Sequence, residues 1–322
     1  MSAPRGHAPA ALELDGLTKS FGDLRAVDDV CLEVAAGEVF GLLGPNGAGK
    51  TTTIRMICAE TAPDAGRVLL HGRPLTAAAD DRARIGLCPQ ELVVWPKLTC
   101  VEQLEMTGSL YGLPGRAARR RATDLLDELG LAEKARALGG TLSGGQQRRL
   151  NIALALVHDP ELVILDEPSA GLDPQSRALV RDVVRARART ATVVLTTHDM
   201  EEADRLSDRV AVIDRGRVLT SGSPTDLKAG AGGGVVELRF VGSGSDEGAA
   251  VAALAAMDGA LPEVVVRPAP GLVSVHADDP TAVLPALLEA LARAGLAADE
   301  VRLRAPSLED VFLGLTGRSL RS

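Results

Sequence analysis

Short apolar strands alternating with helical stretches over most of the chain predict an α/β core, and a second such alternation past a glycine run predicts a small α+β domain behind it. Three observations carry this reading. Gly41 to Met56, GLLGPNGAGKTTTIRM, joins an apolar strand to a helical pattern through a glycine-rich loop. Three separated apolar strands end in polar residues, at that loop, at Asp166-Glu167 and at His198. Ligands of open α/β sheets gather at the carboxyl ends of strands, so these three pieces are expected to meet. Finally, AGAGGG around Gly230 to Gly234 has the composition of a flexible linker.

In chain order, residues 1–10 form a loose arm and Leu12 to Leu17 the first strand. Val30 to Val34 is the second, and Ala36-Gly37 turns the chain into Val39 to Leu43, which feeds the loop. Val68 to His71 is another short strand. Helical signals dominate from about Thr99 to His158, Ala117 to Leu129 among them, within a helical subdomain of about residues 91–158. Strands return at Leu162 to Leu165, Thr192 to Thr197 and Arg209 to Ile213, and Asp214-Arg215-Gly216 turns the last into a hairpin with Arg217 to Ser221. The core domain thus spans 11–228, the linker 229–234 and the accessory domain 235–316. In the latter, strand Val235 to Phe240, helix Asp246 to Met257, strands Glu263 to Arg267 and Leu272 to His276, helix Thr281 to Ala294 and strand Glu300 to Leu303 give the order βαββαβ, a ferredoxin-like pattern. A last helix runs near Ser307 to Leu315.

Composition narrows the function. A net charge of −8 and a pI near 5.3 argue against a nucleic-acid binder, and 2% aromatics leave few platforms for bases. No stretch approaches the roughly 18 to 20 apolar residues that span a bilayer, so a membrane role has to come through a partner. MSAPRGHAPA lacks the apolar core of an export signal, which places the chain in the cytoplasm. Cys31, Cys58, Cys88 and Cys100 form no CxxC pair and read as reduced, mostly buried small hydrophobes. Arg116 to Arg121, RAARRR, reads as a solvated helix face near Asp124, Asp127 and Glu128.

Gly44-Pro45-Asn46-Gly47-Ala48-Gly49-Lys50-Thr51, followed by Thr52, fits the phosphate-cradling pattern G-x-x-x-x-G-K-[ST] in its strand-to-helix setting. Backbone N–H groups of such a loop converge on phosphate oxygens, and the helix adds the positive end of its dipole. Lys50 is the candidate for neutralising β- and γ-phosphates, and Thr51 the candidate ligand of Mg²⁺. Leu142-Ser143-Gly144-Gly145-Gln146 opens an amphipathic helix with a serine and two glycines, a second N-terminal anion site. One nucleotide does not need two such sites from the same chain.

The phosphate loop and LSGGQ together resemble the ATP-binding subunit of ABC transporters, over Leu12 to about Lys228. The resemblance implies a P-loop NTPase core of ABC type with a helical subdomain, and two copies sandwiching two ATP molecules head to tail. Ser143, Gly144, Gly145 and Gln146 would then face the γ-phosphate held by the other copy. Asp166 would hold Mg²⁺ through water and Glu167 would polarise the attacking water, a division suited to adjacent strand residues that point to opposite sides. Ser169-Ala170-Gly171-Leu172-Asp173 would contact the other copy, and His198 the γ-phosphate. Gln90 would reach Mg²⁺ and the water; Cys88, two residues before it, replaces the family's usual aliphatic residue. Phe21 is either the aromatic that stacks on adenine or a core phenylalanine. Trp95 fits either a core position or an exposed anchor for a membrane partner.

Ala305 to Leu313, APSLEDVFL, is similar to the tail of drug-exporting subunits of the daunorubicin-resistance type. Ser307 there is the expected N-cap, with Asp310 at the third helical position. Leu308, Val311, Phe312 and Leu315 fall on one helical face that has to dock on something. The implied function is an ATP- and Mg²⁺-dependent ATPase at the cytoplasmic face of the membrane, energising export of a drug or other amphipathic molecule through separate permease subunits. Its rivals are a soluble ABC-type ATPase of translation, repair or chromosome organisation, and an importer motor. The first predicts a tandem motif set, a long heptad insertion or zinc cysteines, none of which the sequence contains.

Overall fold

The computed structural model describes residues 10–231, 233–240, 244–256, 265–269 and 271–316. The chain divides into two compact units, Met1–Pro224 and Thr225–Ser322. The arm foreseen over residues 1–10 lies outside the described residues except for Ala10, which opens the first strand.

In the first unit, strands β1 (Ala10–Phe21) and β2 (Leu24–Ala35) form a long hairpin, then β3 (Val39–Leu43) leads through the glycine loop into α1 (Lys50–Ile57). Next come β4 (Ala65–Leu70), β5 (Arg73–Pro74), α2 (Ala79–Arg82) and β6 (Ile85–Cys88). Helices α3 (Cys100–Leu110), α4 (Gly115–Glu128) and α5 (Gly144–Leu156) follow. The chain returns through β7 (Leu162–Asp166), α6 (Pro174–Arg187), β8 (Thr192–Thr197), α7 (Met200–Leu206), β9 (Arg209–Asp214) and β10 (Arg217–Gly222). α8 (Pro224–Ala229) runs across the division between the units.

β1 and β2 are longer than their apolar residues alone suggest. The polar stretch Lys19-Ser20 stays paired to β2, and the hairpin turns only at Gly22, whose φ of 58° suits glycine. These strands form an antiparallel sheet of order β2-β1-β4-β5. The other sheet has the order β10-β9-β3-β8-β7-β6, with every pair parallel except β10–β9.

Every residue of β3, β7 and β8 is buried, as expected of parallel strands covered on both faces. Strand alternation then divides their side chains between two cores. Val39, Val163, Leu165, Val193 and Leu195 join the core that holds Leu104, Leu125 and Leu150 of the helices. Phe40, Leu42, Leu162, Ile164 and Val194 join the core that holds Leu12, Leu14 and Val30 of the antiparallel sheet. The adjacency β3-β8-β7 brings the three polar strand ends side by side. α4 buries Ala118, Ala122, Leu125 and Leu126, at helical spacing. Arg116, Arg119 and Arg120 are exposed as foreseen, whereas Arg121 reaches across to Asp159 at 3.1 Å instead of to the acids of its own helix.

The second unit consists of β11 (Gly234–Arg239), α9 (Gly244–Ala255), β12 (Val265–Ala269), β13 (Leu272–Ala277), α10 (Pro280–Arg293), β14 (Glu300–Arg304) and α11 (Leu308–Thr316). Its sheet, β12-β13-β11-β14, is antiparallel throughout, the arrangement that the βαββαβ order anticipates. Val236, Leu238, Val273 and Val275 pack under Ala250, Leu254, Leu287 and Leu291 of the two covering helices. Met257 and Glu263, the ends foreseen for α9 and β12, lie outside the described residues.

The glycine run is more built than its composition suggests. Ala229 closes α8 and Gly234 opens β11, and a Cβ on Gly233 would lie 1.7 Å from the Asp278 carbonyl oxygen. Glycine is required there for close packing against the start of α10.

Ser307 and Asp310 form the foreseen reciprocal cap of α11: the Ser307 amide donates to Asp310 Oδ2 at 2.8 Å and the Asp310 amide to Ser307 Oγ at 3.3 Å. Leu308, Val311 and Phe312 are buried, but Leu315 is 48% exposed, so the docked stripe ends one turn earlier than its spacing predicts.

Candidate active site

The phosphate loop is held by what surrounds it. Gly49, just before α1, has a φ of 105°, and a Cβ there would lie 2.4 Å from the Ala26 carbonyl oxygen; no other residue fits this position. The Lys50 side chain folds back over the loop, donating to the carbonyls of Gly44 at 2.6 Å and Pro45 at 3.2 Å. It is buried, which pushes its pKa down, while Glu167 and Asp166 pull the other way. Asn46, Gly47 and Thr51 are exposed along the rim of the loop, Pro45, Gly49 and Thr52 are half-buried, and Gly44 and Ala48 are buried.

Across the sheet, Asp166 ends β7 with its carboxylate between two hydroxyls. Thr51 Oγ1 donates to Oδ2 at 3.4 Å and Thr196 Oγ1 to Oδ1. The same Thr196 hydroxyl accepts the Glu167 amide at 3.1 Å, and that amide also donates to the Thr196 carbonyl at 3.1 Å. Glu167 lies beyond the strand with φ at 53°, a conformation that L residues seldom adopt and that clusters at functional sites. The separation of the two carboxylates therefore comes from a left-handed kink and not from strand alternation, which is a correction to the sequence reading. His198 Nδ1 meets both Glu167 oxygens, at 2.9 and 2.8 Å. Its ring is 58% exposed while the carboxylate is nearly buried, so His198 caps Glu167 from the solvent side.

Thr196 itself was not foreseen. Its signal is a hydroxyl inside an otherwise apolar, buried strand, which needs a partner. Thr197 is a second instance: its hydroxyl donates to Glu202 Oε2 at 2.7 Å and accepts the Asp199 amide at 2.9 Å, bracing the turn that carries His198. Burial pushes the Glu202 carboxyl up.

α5 begins at Ser143 with a capping box, the Gln146 amide donating to Ser143 Oγ at 3.4 Å and the Ser143 amide to Gln146 Oε1 at 3.0 Å. Ser143 and Gly144 are exposed, and Gly145 and Gln146 half-exposed. Further along the helix, the buried Arg148 reaches the carbonyls of Pro89, Gln90, Asp166, Glu167 and Pro168. Gln90 is exposed and joins this cluster through its carbonyl, 3.0 Å from Arg148, rather than through its amide. Arg148 is a further residue that sequence reasoning missed, although a cation on the buried face of an amphipathic helix is a readable signal.

In Ser169 to Asp173, Ser169 and Leu172 are buried and Ala170, Gly171 and Asp173 exposed. Asp173 caps α6, accepting the Ser176 amide at 2.9 Å. Phe21 is 52% exposed with Lys19 Nζ 5.7 Å from its ring centre, which excludes the core alternative. Trp95 is 42% exposed beside the exposed Leu92 and Val93. Cys58 and Cys88 are buried thiols pushed up to about 12 and about 11, and Cys100 is buried as well, whereas Cys31 is exposed.

The structure thus brings together Lys50, Thr51, Asp166, Glu167, Thr196 and His198, while Ser143 to Gln146 present an open helix end. The oxygens of Thr51 and Asp166, 3.4 Å apart, are a hard donor pair of the kind Mg²⁺ takes from a protein when it keeps water and phosphate for the rest of its shell. The Glu167 carboxylate, its orientation restricted by His198, stands beside them.

The chain matches the ABC transporter family over residues 27–170 and the C-terminal domain of DrrA1-3-like ATP-binding proteins over residues 222–316. It is 42% identical to the daunorubicin resistance ATP-binding protein DrrA3 of Streptomyces coeruleorubidus, over 98% of each chain. It is 37% identical to the linearmycin resistance ATP-binding protein LnrL of Bacillus subtilis strain 168, over 96% of this chain and 99% of that one. Among solved structures, the dimeric post-hydrolysis state of the ATP-binding cassette MJ0796, bound to ADP and Pi, superposes with a TM-score of 0.60 at 28% identity, covering 66% of this chain and 98% of the other.

Proposed function

The chain belongs to the ATP-binding subunits of ABC transporters, and from that membership we propose that it is the ATP-hydrolysing motor of an exporter of a drug or antibiotic, driving separate membrane-spanning subunits. The full-length likeness to resistance proteins, second unit included, favours export over import. Among the described residues no helix is long and apolar enough to cross a membrane. In this reading the motor sits at the cytoplasmic face, held there by its permease.

The observation that carries the reading is Glu167, clasped by His198 and standing beside Asp166 and Thr51. ATP lies with its phosphates in the loop from Gly44 to Thr52, its β- and γ-phosphates neutralised by Lys50 and its adenine against Phe21. Thr51 and Asp166, with Gln90, would hold Mg²⁺, which supplies charge neutralisation on the phosphates when bound. Glu167 accepts a proton from the attacking water, and His198 fixes the direction of that carboxylate. The open end of α5, with the Ser143 hydroxyl and the amides of Gly144 and Gly145, completes the site of a second copy head to tail, where the helix dipole favours the γ-phosphate. Ser169 to Asp173 form the contact between the copies.

Glu167→Gln tests this. Turnover falls by about 10² to 10⁴, while ATP binding persists and an ATP-bound dimer accumulates in size-exclusion chromatography. Wild-type turnover in this variant removes the assignment.

A further inference from the structure

Arg148 is 4% exposed, yet every partner its guanidinium has among the described residues is a peptide carbonyl. Nη1 donates to Pro89 at 2.7 Å and to Gln90 at 3.0 Å; Nε donates to Pro168 at 3.3 Å; Nη2 donates to Glu167 at 2.6 Å and also to Asp166. A buried cation is tolerable only when its donors are satisfied, and here that requires two remote segments to hold five carbonyls in one fork-shaped array. One turn further on, Asn151 donates to the carbonyls of Pro89 at 3.2 Å and Glu91 at 3.3 Å and accepts the Val93 amide at 3.2 Å. α5 therefore ties the Gln90 segment on one side to the Asp166–Pro168 turn on the other.

The second tie bears on chemistry. Glu167 sits at a positive φ, a strained conformation for an L residue that persists only where the surroundings over-determine it. Thr196 fixes its amide side and Arg148 its carbonyl side. With the peptide clamped at both ends, the carboxylate is aimed at His198.

We propose that Arg148 is a positioning residue for hydrolysis: it locks the backbone that aims Glu167 and joins that lock to the Gln90 segment, so that the base is in register only when the segment is. This rests on the reading of Glu167 as the base. It assigns Arg148 no contact with nucleotide.

The test is Arg148→Lys, which keeps the charge but replaces a planar five-donor fork by a point ammonium. Steady-state kcat falls about 10²-fold, the scale at which small misplacements act, while the Kd values for ATP and ADP stay within about twofold and thermal unfolding remains cooperative. In a Glu167→Gln background the same change lowers residual turnover no further, because the base it aims is already gone. Asn151→Ala, which loosens the Gln90 segment alone, gives a smaller loss of kcat with the same unchanged Kd.

Turnover lost in Glu167→Gln but kept in Arg148→Lys overturns this proposal alone, whereas turnover kept in Glu167→Gln overturns the base and the proposal together. Additive losses in the double variant, or nucleotide affinity falling in step with kcat, also count against it. So does turnover that merely tracks a shrinking folded fraction, which makes Arg148 a structural residue and nothing more.

Discussion

Each unit builds a network around an arginine, buried in the first and partly buried in the second, and the two are satisfied on opposite terms. In the second unit Arg304 takes both Asp310 oxygens, at 2.6 and 3.1 Å, and Glu237 at 2.5 Å, with His276 3.4 Å from Asp310. The charges there are matched, and α11 is locked to β11 and β14 by them. In the first unit Arg148 takes only carbonyls, although the side chains of Asp166 and Glu167 belong to the very residues it binds. Lys50, the other buried cation nearby, is likewise turned to carbonyls. Carboxylates paired with an arginine, as Asp310 and Glu237 are with Arg304, are used up in stability. Those left to hydroxyls and a histidine remain available to a metal ion and a water molecule, and this difference marks which unit performs chemistry.

The sharpest way to break the comparison is to disable the first unit in two places. Lys50→Ala and Ser143→Arg are each inactive alone, since one removes phosphate neutralisation and the other blocks the open helix end. Mixed together, they recover one competent site per heterodimer, measured as ATP turnover against the mixing ratio. Demonstrated heterodimers with no recovery exclude the head-to-tail arrangement.

Removal of the second unit comes next in size. Truncation after Ala229 keeps α8 and every residue assigned to phosphate or metal. ATP binding and basal turnover survive, and the dimer weakens by about tenfold, roughly 1.4 kcal/mol, in sedimentation velocity with ATP. Dimerisation and export at full strength in the truncated chain remove the second unit from any role in assembly.

Much of this was legible because strands and motifs carry strong local patterns. The fully buried runs of β7 and β8, the glycine loop and the Ser307 cap all stand in the structure where their residues predict them. What the sequence hides is set by partners remote along the chain. The left-handed turn at Glu167 depends on Thr196 and Arg148, which lie 29 and 19 residues away. Lys19 and Ser20 look like loop residues and become strand because β2 pairs with them. Leu315 has the right helical phase but lies past the end of the surface that α11 covers.

An effect confined to acid sharpens the contrast from the side of the second unit. Burial pushes the Asp310 carboxyl up, but Arg304 and Ser307 outweigh it and hold it down to about 2, against an ordinary value of 3.8. A depressed carboxyl contributes stability that is present above its unfolded pKa and lost as pH falls through the folded one. The second unit therefore weakens between about pH 4 and pH 2, by about 2 kcal/mol. Asp310→Asn removes this acid-dependent loss and lowers stability at pH 7, read as urea midpoints across the pH range. An unchanged acid profile in the variant dissociates Asp310 from the stability of α11.

The smallest effect on the isolated chain, and the most selective one, is expected at Trp95. Its indole stands exposed with Leu92 and Val93 just beyond the Gln90 segment, while its backbone is anchored: the amide donates to Gln103 Oε1 at 2.9 Å and the carbonyl accepts from Gln103 Nε2 at 3.1 Å. The loop therefore keeps its course without the indole, and Trp95→Ala stays within about 0.5 kcal/mol of wild-type stability, as surface substitutions do. An exposed tryptophan on a rigid backbone is the kind of anchor that dominates interfaces, where truncation costs about 2 kcal/mol or more. Nucleotide binding thus persists, while co-purification with the membrane-spanning subunits is lost. A large drop in melting temperature places Trp95 among the residues that hold the fold, and intact co-purification moves the docking surface elsewhere on the first unit.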